Sequence, residues 1–453
     1  MKTKYIFIAS LLLLYACKDS KKTEEKQPET VAQQNVQKDT FRISEVIPSV
    51  RCKTNETYSF ALYLPRQCKG NSKLPALIFC DPHGDGSFPV SRYHGLAEKF
   101  GVILIGSNDV KNGLTFNQTS PILQTLVNEI AMRFNIDPGQ ISLAGFSGGA
   151  KAALVAASEI PALASVIYSS AGLQQIPQPL PPALAITGLR DMGYTDVVAT
   201  DDQMENLKLR HAIVVWNGKH EWGDSATFQN AFYWLKFRAI EKKTAGPDES
   251  LTEEFIKQNS QVKSNPVEEK MRLTKLIYFL NGVTDVSKYQ AELASIIKQK
   301  NYLAAEEKRL SDLQTESRLK ENYVQCMDLK DLFWWHTESN RLKTSKKNYM
   351  DDRVLGYISL ACYSRSSAAI KQVDIQRAQK YISIYSLVDP DNADRAYLQA
   401  CLYALGQNKV GAIQSLKDAV RLGFSDKAKL MNDDSFASIR NSAEFNEVLQ
   451  EMN

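Results

Sequence analysis

Residues 141–149 read Ile-Ser-Leu-Ala-Gly-Phe-Ser-Gly-Gly, a short apolar run that passes directly into a glycine-rich turn. The alanine-rich segment at 150–158 has helical character, so the turn joins a strand to a helix. A strand that turns sharply into a helix leaves no room for side chains beside the turn, and glycine supplies none. The pattern therefore predicts a strand–turn–helix unit that exposes the Ser147 hydroxyl at the end of its strand.

The sequence on both sides of this unit alternates short apolar runs with segments of helical periodicity. Strands are predicted at 58–64, 75–80, 101–107, 141–144, 164–168, 183–187 and 211–216. Continuous apolar strands that alternate with helices are typical of an α/β protein, in which helices cover both faces of a parallel sheet. Functional groups in such sheets lie on the loops at the carboxyl ends of the strands.

Those loops carry a nucleophile, an acid and a base in the order that this strand–turn–helix motif requires. Ser147 is the candidate nucleophile. His220 follows the last predicted strand and is the candidate base, whereas His211 opens that strand at its opposite end. Asp191 follows the preceding strand and is the candidate acid that orients His220. The competing acids in the same region are Asp196, Asp201 and Asp202.

An oxyanion formed during attack on a carbonyl needs two backbone N–H donors. We expect one from Gly148, next after Ser147, and the other from Gly84 or Asp85 in the loop Asp-Pro-His-Gly-Asp-Gly at 81–86. A metal site formed by His83 with the neighbouring aspartates is the alternative use of this loop. The nucleophile, acid and base already supply a complete mechanism, so neither a metal nor a cofactor is predicted.

Side chains beside these loops are candidates for contact with a substrate. We assign this role to His83, Tyr194 and Trp222, and the same loops carry Phe88, Tyr93 and Met192. Each of these residues is equally compatible with ordinary packing.

Residues 41–240 resemble the α/β-hydrolase fold and, within it, bacterial esterases of the polyhydroxybutyrate-depolymerase and feruloyl-esterase type and dienelactone-hydrolase-like proteins. The resemblance rests on the 81–86 loop, the turn at Ser147, Gly-x-x-Asp ending at Asp191 and Gly-x-His-Glu-Trp ending at Trp222. It implies hydrolysis of a carboxylic ester by a domain at 41–241. No extended substrate-binding insertion or carbohydrate module is visible, which disfavours a polymeric substrate. A peptidase with the same triad and a non-catalytic scaffold are the alternatives.

The N-terminus predicts export and a lipid anchor. Two lysines precede an apolar run at 5–16, the pattern of a secretory signal at 1–16. The run ends in Leu-Tyr-Ala before Cys17, which resembles the lipobox of bacterial lipoproteins, although the tyrosine departs from its strictest form. We expect Cys17 to be acylated and the polar segment 17–40 to be a tether on the periplasmic or outer-surface side. A plain signal peptide cleaved near Ala16 is the alternative.

The remainder of the chain is predicted to be helical, with a helical region at 242–350 and tetratricopeptide-like repeats at 351–453. The repeats are inferred from a period of 34 residues, the length of a tetratricopeptide repeat. This period relates Ala378, Ile382 and Pro390 to Ala412, Leu416 and Phe424. Such repeats present a concave face to a peptide or protein partner. An unrelated helical bundle is the alternative, because the characteristic Trp-Leu-Gly is missing.

The composition excludes several classes of function. The 55 basic and 51 acidic residues give a formal net charge of +4, so a nucleic-acid partner is not expected. Apart from the N-terminus, no apolar run approaches the length of a membrane span. The seven cysteines include no Cys-x-x-Cys pair. Cys52 and Cys68 flank a predicted strand and are candidates for a disulfide, two free thiols being the alternative. The other cysteines predicted to be buried are Cys80, Cys326, Cys362 and Cys401.

Overall fold

The computed structural model describes residues 41–161, 163–345 and 349–452. The expected signal peptide, Cys17 and the tether lie outside these residues and stay predictions. The described residues from Phe41 onward belong to one compact unit. None of the helices in the described ranges is long and apolar enough to cross a membrane.

An eight-stranded sheet with the order β1-β2-β4-β3-β5-β6-β7-β8 lies at the centre of this unit. Its strands are β1 Val46–Arg51, β2 Ser59–Tyr63, β3 Leu74–Cys80, β4 Ile103–Ser107, β5 Ile136–Phe146, β6 Ser165–Ser169, β7 Ala183–Gly188 and β8 His211–Trp216. β2 is antiparallel to β1 and β4, and the other neighbouring pairs are parallel. The predicted α/β class is confirmed. β1 was not predicted, because it is a half-exposed edge strand with no clear alternation of apolar residues.

Helices cover both faces of the sheet. They are α1 Ser87–Phe100, α2 Phe116–Arg133, α3 Gly148–Glu159, α4 Tyr194–Asn206 and α5 Ser225–Glu241. Successive residues of β5 show the division, because Leu143 joins the core under α2 and α3 whereas Ala144 joins the core under α1 and α5. The central strands are buried on both sides, which explains their continuous apolar sequences.

Eleven further helices follow α5 in the described part of the chain. They are α6 Glu249–Gln258, α7 Pro266–Leu280, α8 Ser287–Ile296, α9 Lys300–Leu329, α10 Leu332–Thr344, α11 Tyr349–Lys371, α12 Ile375–Val388, α13 Ala393–Leu405, α14 Lys409–Arg421, α15 Lys427–Asn432 and α16 Ala443–Glu451. The core does not end at the predicted boundary after residue 241. Phe255 of α6 and Phe279 of α7 pack in the same cluster as Phe237 of α5.

The segment with the 34-residue period contains α11 to α14, four helices joined by short loops. Ala378 and Ala412 occupy corresponding places in α12 and α14, and both are fully buried. Ile382 and Leu416 are likewise buried in the same cluster. The period therefore marks a recurring buried position, and membership of the tetratricopeptide family stays a prediction.

The cysteines are free thiols throughout the described residues. Cys52 lies at one end of β2, where its N–H donates to the Tyr58 carbonyl oxygen. Cys68 lies in a short 3-10 turn beyond the other end. The five residues of β2 span about 17 Å, whereas a disulfide needs Cα atoms within about 7 Å. The candidate disulfide is thus wrong. The other four described cysteines are buried, as predicted.

Candidate active site

Ser147 lies between the end of β5 and the start of α3 with φ 53° and ψ −120°. A positive φ is uncommon for a residue with a side chain and costs free energy, so the surrounding structure must enforce it. Two glycines make the turn possible. A Cβ on Gly145 would lie 2.2 Å from the Gly149 carbonyl oxygen, and one on Gly149 would lie 2.0 Å from that of Cys80. The turn thus holds Ser147 at the carboxyl edge of the sheet.

The structure brings Ser147, His220 and Asp191 into one hydrogen-bonded chain. His220 Nε2 lies 3.0 Å from Ser147 Oγ, and His220 Nδ1 lies 2.7 Å from Asp191 Oδ1. Asp191 is fully buried, and its Oδ1 also accepts a 2.8 Å hydrogen bond from the Gly193 N–H. A carboxylate at Nδ1 favours the tautomer in which Nδ1 carries the proton, leaving Nε2 free to accept one from Ser147.

The other acids and the other histidine considered for the triad are not part of this hydrogen-bonded chain. Asp196 is exposed on α4, and Asp201 lies 3.5 Å from His211 at the opposite end of β8. Burial raises the pKa of Asp201 to about 6. The His211 Nδ1–H donates to the Leu209 carbonyl oxygen and the ring packs on Tyr278, so His211 belongs to the core.

The predicted oxyanion donors are only partly available. Gly148 opens α3, and the first N–H groups of a helix have no partner within it. The Gly84 N–H instead donates to the Asp81 carbonyl oxygen at 3.1 Å, closing a tight turn in which Gly84 has φ +73°. Asp85 is therefore the remaining candidate for the second donor. Its carboxylate caps α1 by accepting from the Ser87 N–H.

Asn112 is a neighbour of the nucleophile that the sequence analysis missed. A Cβ on Gly148 would lie 1.9 Å from Asn112 Oδ1, so the amide side chain lies directly against the turn. The Asn112 N–H donates to the Pro82 carbonyl oxygen at 2.8 Å, which joins its loop to the 81–86 loop. Asn112 is exposed and belongs to no recognisable motif, so only the fold reveals its position.

Trp222 does not line an open pocket, which corrects its predicted role. It is 3% exposed and packs among Phe79, Tyr93 and Phe146. Its Nε1–H donates to the buried carboxylate of Asp81 at 2.9 Å, across 141 residues of sequence. Trp222 therefore fixes the 81–86 loop from beneath and does not face substrate. Tyr93, also considered for the pocket, is fully buried and donates to the Gly223 carbonyl oxygen.

His83 remains at the surface of that loop, with its side chain 75% exposed and Nδ1 3.3 Å from Asp81 Oδ1. Its hydrogen bond to Asp81 raises the pKa of His83, and Asp394 raises it further whereas Lys429 lowers it. Asp394 lies on α13 and Lys429 on α15. These two groups of the C-terminal helices therefore have opposite effects on the pKa of His83.

One cleft at the edge of the sheet has a lining that does not include Ser147. It has a volume of about 640 Å³ and lies between the edge strand β8 and helices α7 and α9. Tyr194 and Leu189 line it, together with Arg353 of α11. The predicted contact of Tyr194 with a substrate stays a prediction. Its ring lies under the Arg353 guanidinium, 4.7 Å from the ring centre.

The strand order, the helices on both faces and the turn at Ser147 give the protein an α/β-hydrolase fold. Comparison with family models and with characterised proteins gives no match. The chain is similar to solved structures of Staphylococcus aureus S-formylglutathione hydrolase (15% identity, 43% of this chain, 98% of that chain, TM-score 0.36). It is also similar to a Pyrobaculum calidifontis esterase (15% identity, 45% of this chain, 87% of that chain, TM-score 0.36). A third similar structure is that of Porphyromonas gingivalis dipeptidyl peptidase 4 (12% identity, 43% of this chain, 35% of that chain, TM-score 0.34). None of these similarities is high enough to assign an activity to this chain.

Proposed function

We propose that the protein is a serine hydrolase that cleaves a carboxylic ester. The observation that carries the proposal is the hydrogen-bonded chain from Ser147 Oγ through His220 to the buried Asp191. A serine without such partners is a weak nucleophile, and an adjacent base oriented by a third group is what activates it. A scaffold has no use for this arrangement, nor for the backbone strain at Ser147.

Each residue then has a defined task. Ser147 Oγ attacks the ester carbonyl while His220 Nε2 takes its proton, and Asp191 stabilises the imidazolium that forms. The N–H groups of Gly148 and Asp85 donate to the developing oxyanion. His220 returns the proton to the departing alkoxide, which leaves an acyl-enzyme on Ser147. A water molecule activated by His220 then releases the acid.

The proposed substrate is a small or short-chain ester. Asn112 lies against Gly148, where its amide can bind polar substrate atoms, and His83 is exposed on the same loop as the second donor. The support for a small substrate is that the sequence shows no extended insertion beside these loops that would bind a polymer.

An ester panel tested beside a peptide panel separates the two hydrolase hypotheses. We expect the purified protein to hydrolyse p-nitrophenyl esters, fastest for short acyl chains, and to leave matched peptide p-nitroanilides intact. Both series release a chromophore of similar size, so the leaving group serves as the internal control. Cleavage of anilides at the rate of esters would favour the peptidase, and no turnover in either series would favour the scaffold.

We also propose that Cys17 carries a lipid anchor, which would hold the enzyme at a membrane outside the cytoplasm. The support is the Leu-Tyr-Ala-Cys sequence after a charged and then apolar N-terminus. We expect radiolabelled palmitate to be incorporated by the native chain and lost in Cys17→Ser, with Cys52→Ser as the matched control. Equal labelling of native chain and Cys17→Ser would contradict the anchor.

For the helical part of the chain, we propose that α11 to α14 bind a protein or peptide partner. Its support is the 34-residue recurrence of buried positions in α12 and α14.

A further inference from the structure

The loop that carries Asp191, residues 189–193, is held from outside the sheet domain. We name it the acid loop. One side of it is bonded to the loop that carries His220, residues 217–222, since the Arg190 N–H donates to the Gly218 carbonyl oxygen at 2.9 Å. Its other side faces helices α9 and α11, which lie far along the chain from it.

Two buried cations of these helices donate to the backbone of the acid loop. Arg353 Nη1 donates to the Leu189 carbonyl oxygen at 2.6 Å. Lys320 Nζ donates to the Met192 carbonyl oxygen at 2.8 Å and to Thr195 Oγ1 at 3.0 Å. These bonds lie on both sides of Asp191, so they fix the position and orientation of the segment that carries its carboxylate.

The two cations are themselves fixed by one carboxylate. Glu316, with no exposed surface, accepts from Arg353 Nε and Nη2, the latter at 2.7 Å. It also lies 2.9 Å from Lys320 Nζ. A planar guanidinium bound in this way has one defined orientation, so its remaining nitrogen is aimed at Leu189. The cluster thus forms a rigid support for the acid loop.

Apolar packing alone does not fix the acid loop. The cleft of about 640 Å³ opens beside it and is lined by Leu189, Tyr194 and Arg353. Where side chains do not fill the space between two elements, directed hydrogen bonds decide their separation.

We propose that Arg353 and Lys320 of the helical region are positioning residues for the catalytic triad, which they serve by holding the acid loop so that Asp191 reaches His220. The inference rests on the proposed function. It makes the helical region a part of the hydrolase and opens a route by which a partner on these helices changes its rate. A displacement of about 1 Å at a catalytic group can cost on the order of 100-fold in rate.

The test compares Arg353→Met with Arg365→Met in the full chain. Both arginines lie on α11, and Arg365 pairs with Asp328 and Tyr381 inside the helical region, away from the acid loop. We expect Arg353→Met to lower kcat for a p-nitrophenyl ester by about 10- to 100-fold with KM little changed. Arg365→Met should keep kcat within about twofold, and Arg353→Lys should recover part of the loss.

A double-mutant cycle with Asp191→Asn separates positioning from general structural damage. If Arg353 acts through Asp191, Arg353→Met should add almost nothing in the Asp191→Asn background. Equal effects in both backgrounds, or kcat of Arg353→Met equal to that of Arg365→Met, would overturn the inference. Should Arg353→Met not fold by circular dichroism, the same cycle with Lys320→Gln decides. A native chain without ester turnover would refute the proposed function instead.

Discussion

Replacement of Ser147 by alanine should lower kcat for the best ester by at least about 10⁵-fold, close to the loss of the whole triad, because His220 and Asp191 have no task without the nucleophile. Residual turnover would come from the oxyanion donors and from substrate binding. The same change should abolish labelling by a fluorophosphonate probe, which reacts with an activated serine. Since Ser147 protrudes from the turn, alanine removes one hydroxyl and leaves the fold intact.

Ser158→Ala is the matched control for this experiment. Ser158 lies at the other end of α3, where its hydroxyl donates to the Val155 carbonyl oxygen. We expect the Ser158→Ala variant to be labelled by the probe and to hydrolyse the ester as the native chain does. Labelling of Ser147→Ala at the native level would place the reactive group elsewhere and refute Ser147 as nucleophile.

Replacement of Asp191 by asparagine should lower kcat by about 10⁴-fold while the geometry is kept. An asparagine amide that donates to His220 Nδ1 leaves the proton on Nε2, so the ring cannot accept the Ser147 proton. Asparagine also cannot stabilise the imidazolium. The measurement is steady-state kinetics on the same ester, with circular dichroism to show that the fold is unchanged.

Asp196→Asn is the control for Asp191→Asn, because Asp196 follows on the same stretch of chain but is exposed. It should keep native kinetics. A large loss in Asp196→Asn together with a small one in Asp191→Asn would mean that the acid has been assigned to the wrong residue.

The strands β2 to β8, the turn at Ser147 and the positions of Asp191 and His220 could be predicted because local signals indicate them. A glycine pattern marks the turn, and the parallel sheet places its loops at one edge. His220 followed by elimination, since His211 begins β8 and His220 lies just beyond it. Each of these inferences needs only the order of elements along the chain.

Contacts between distant segments could not be predicted in this way. The Trp222 indole was expected near substrate because it follows His220, yet it reaches Asp81 under the sheet edge. Asn112 reaches Gly148 from a loop with no motif. Arg353 and Lys320 lie in helices whose sequences record only which face is buried, and not what that face meets. Single-sequence patterns give the face of an element, whereas the partner depends on the assembled fold.

The aromatic cluster shared by α5, α6 and α7 sets a practical rule for recombinant work on this gene. Trp234 packs edge-to-face against Phe279 with ring centres 5.1 Å apart, and the buried Arg238 donates to the Phe279 carbonyl oxygen. A coding sequence cut after residue 241, where the sequence alone places the end of the hydrolase, would leave this surface uncovered in the expressed fragment. Uncovered apolar surface of that kind drives proteins into inclusion bodies. A soluble fragment therefore has to extend at least through α7. A fragment that keeps its acid loop in place has to include α11 and also α12 to α16, which share the core of α11.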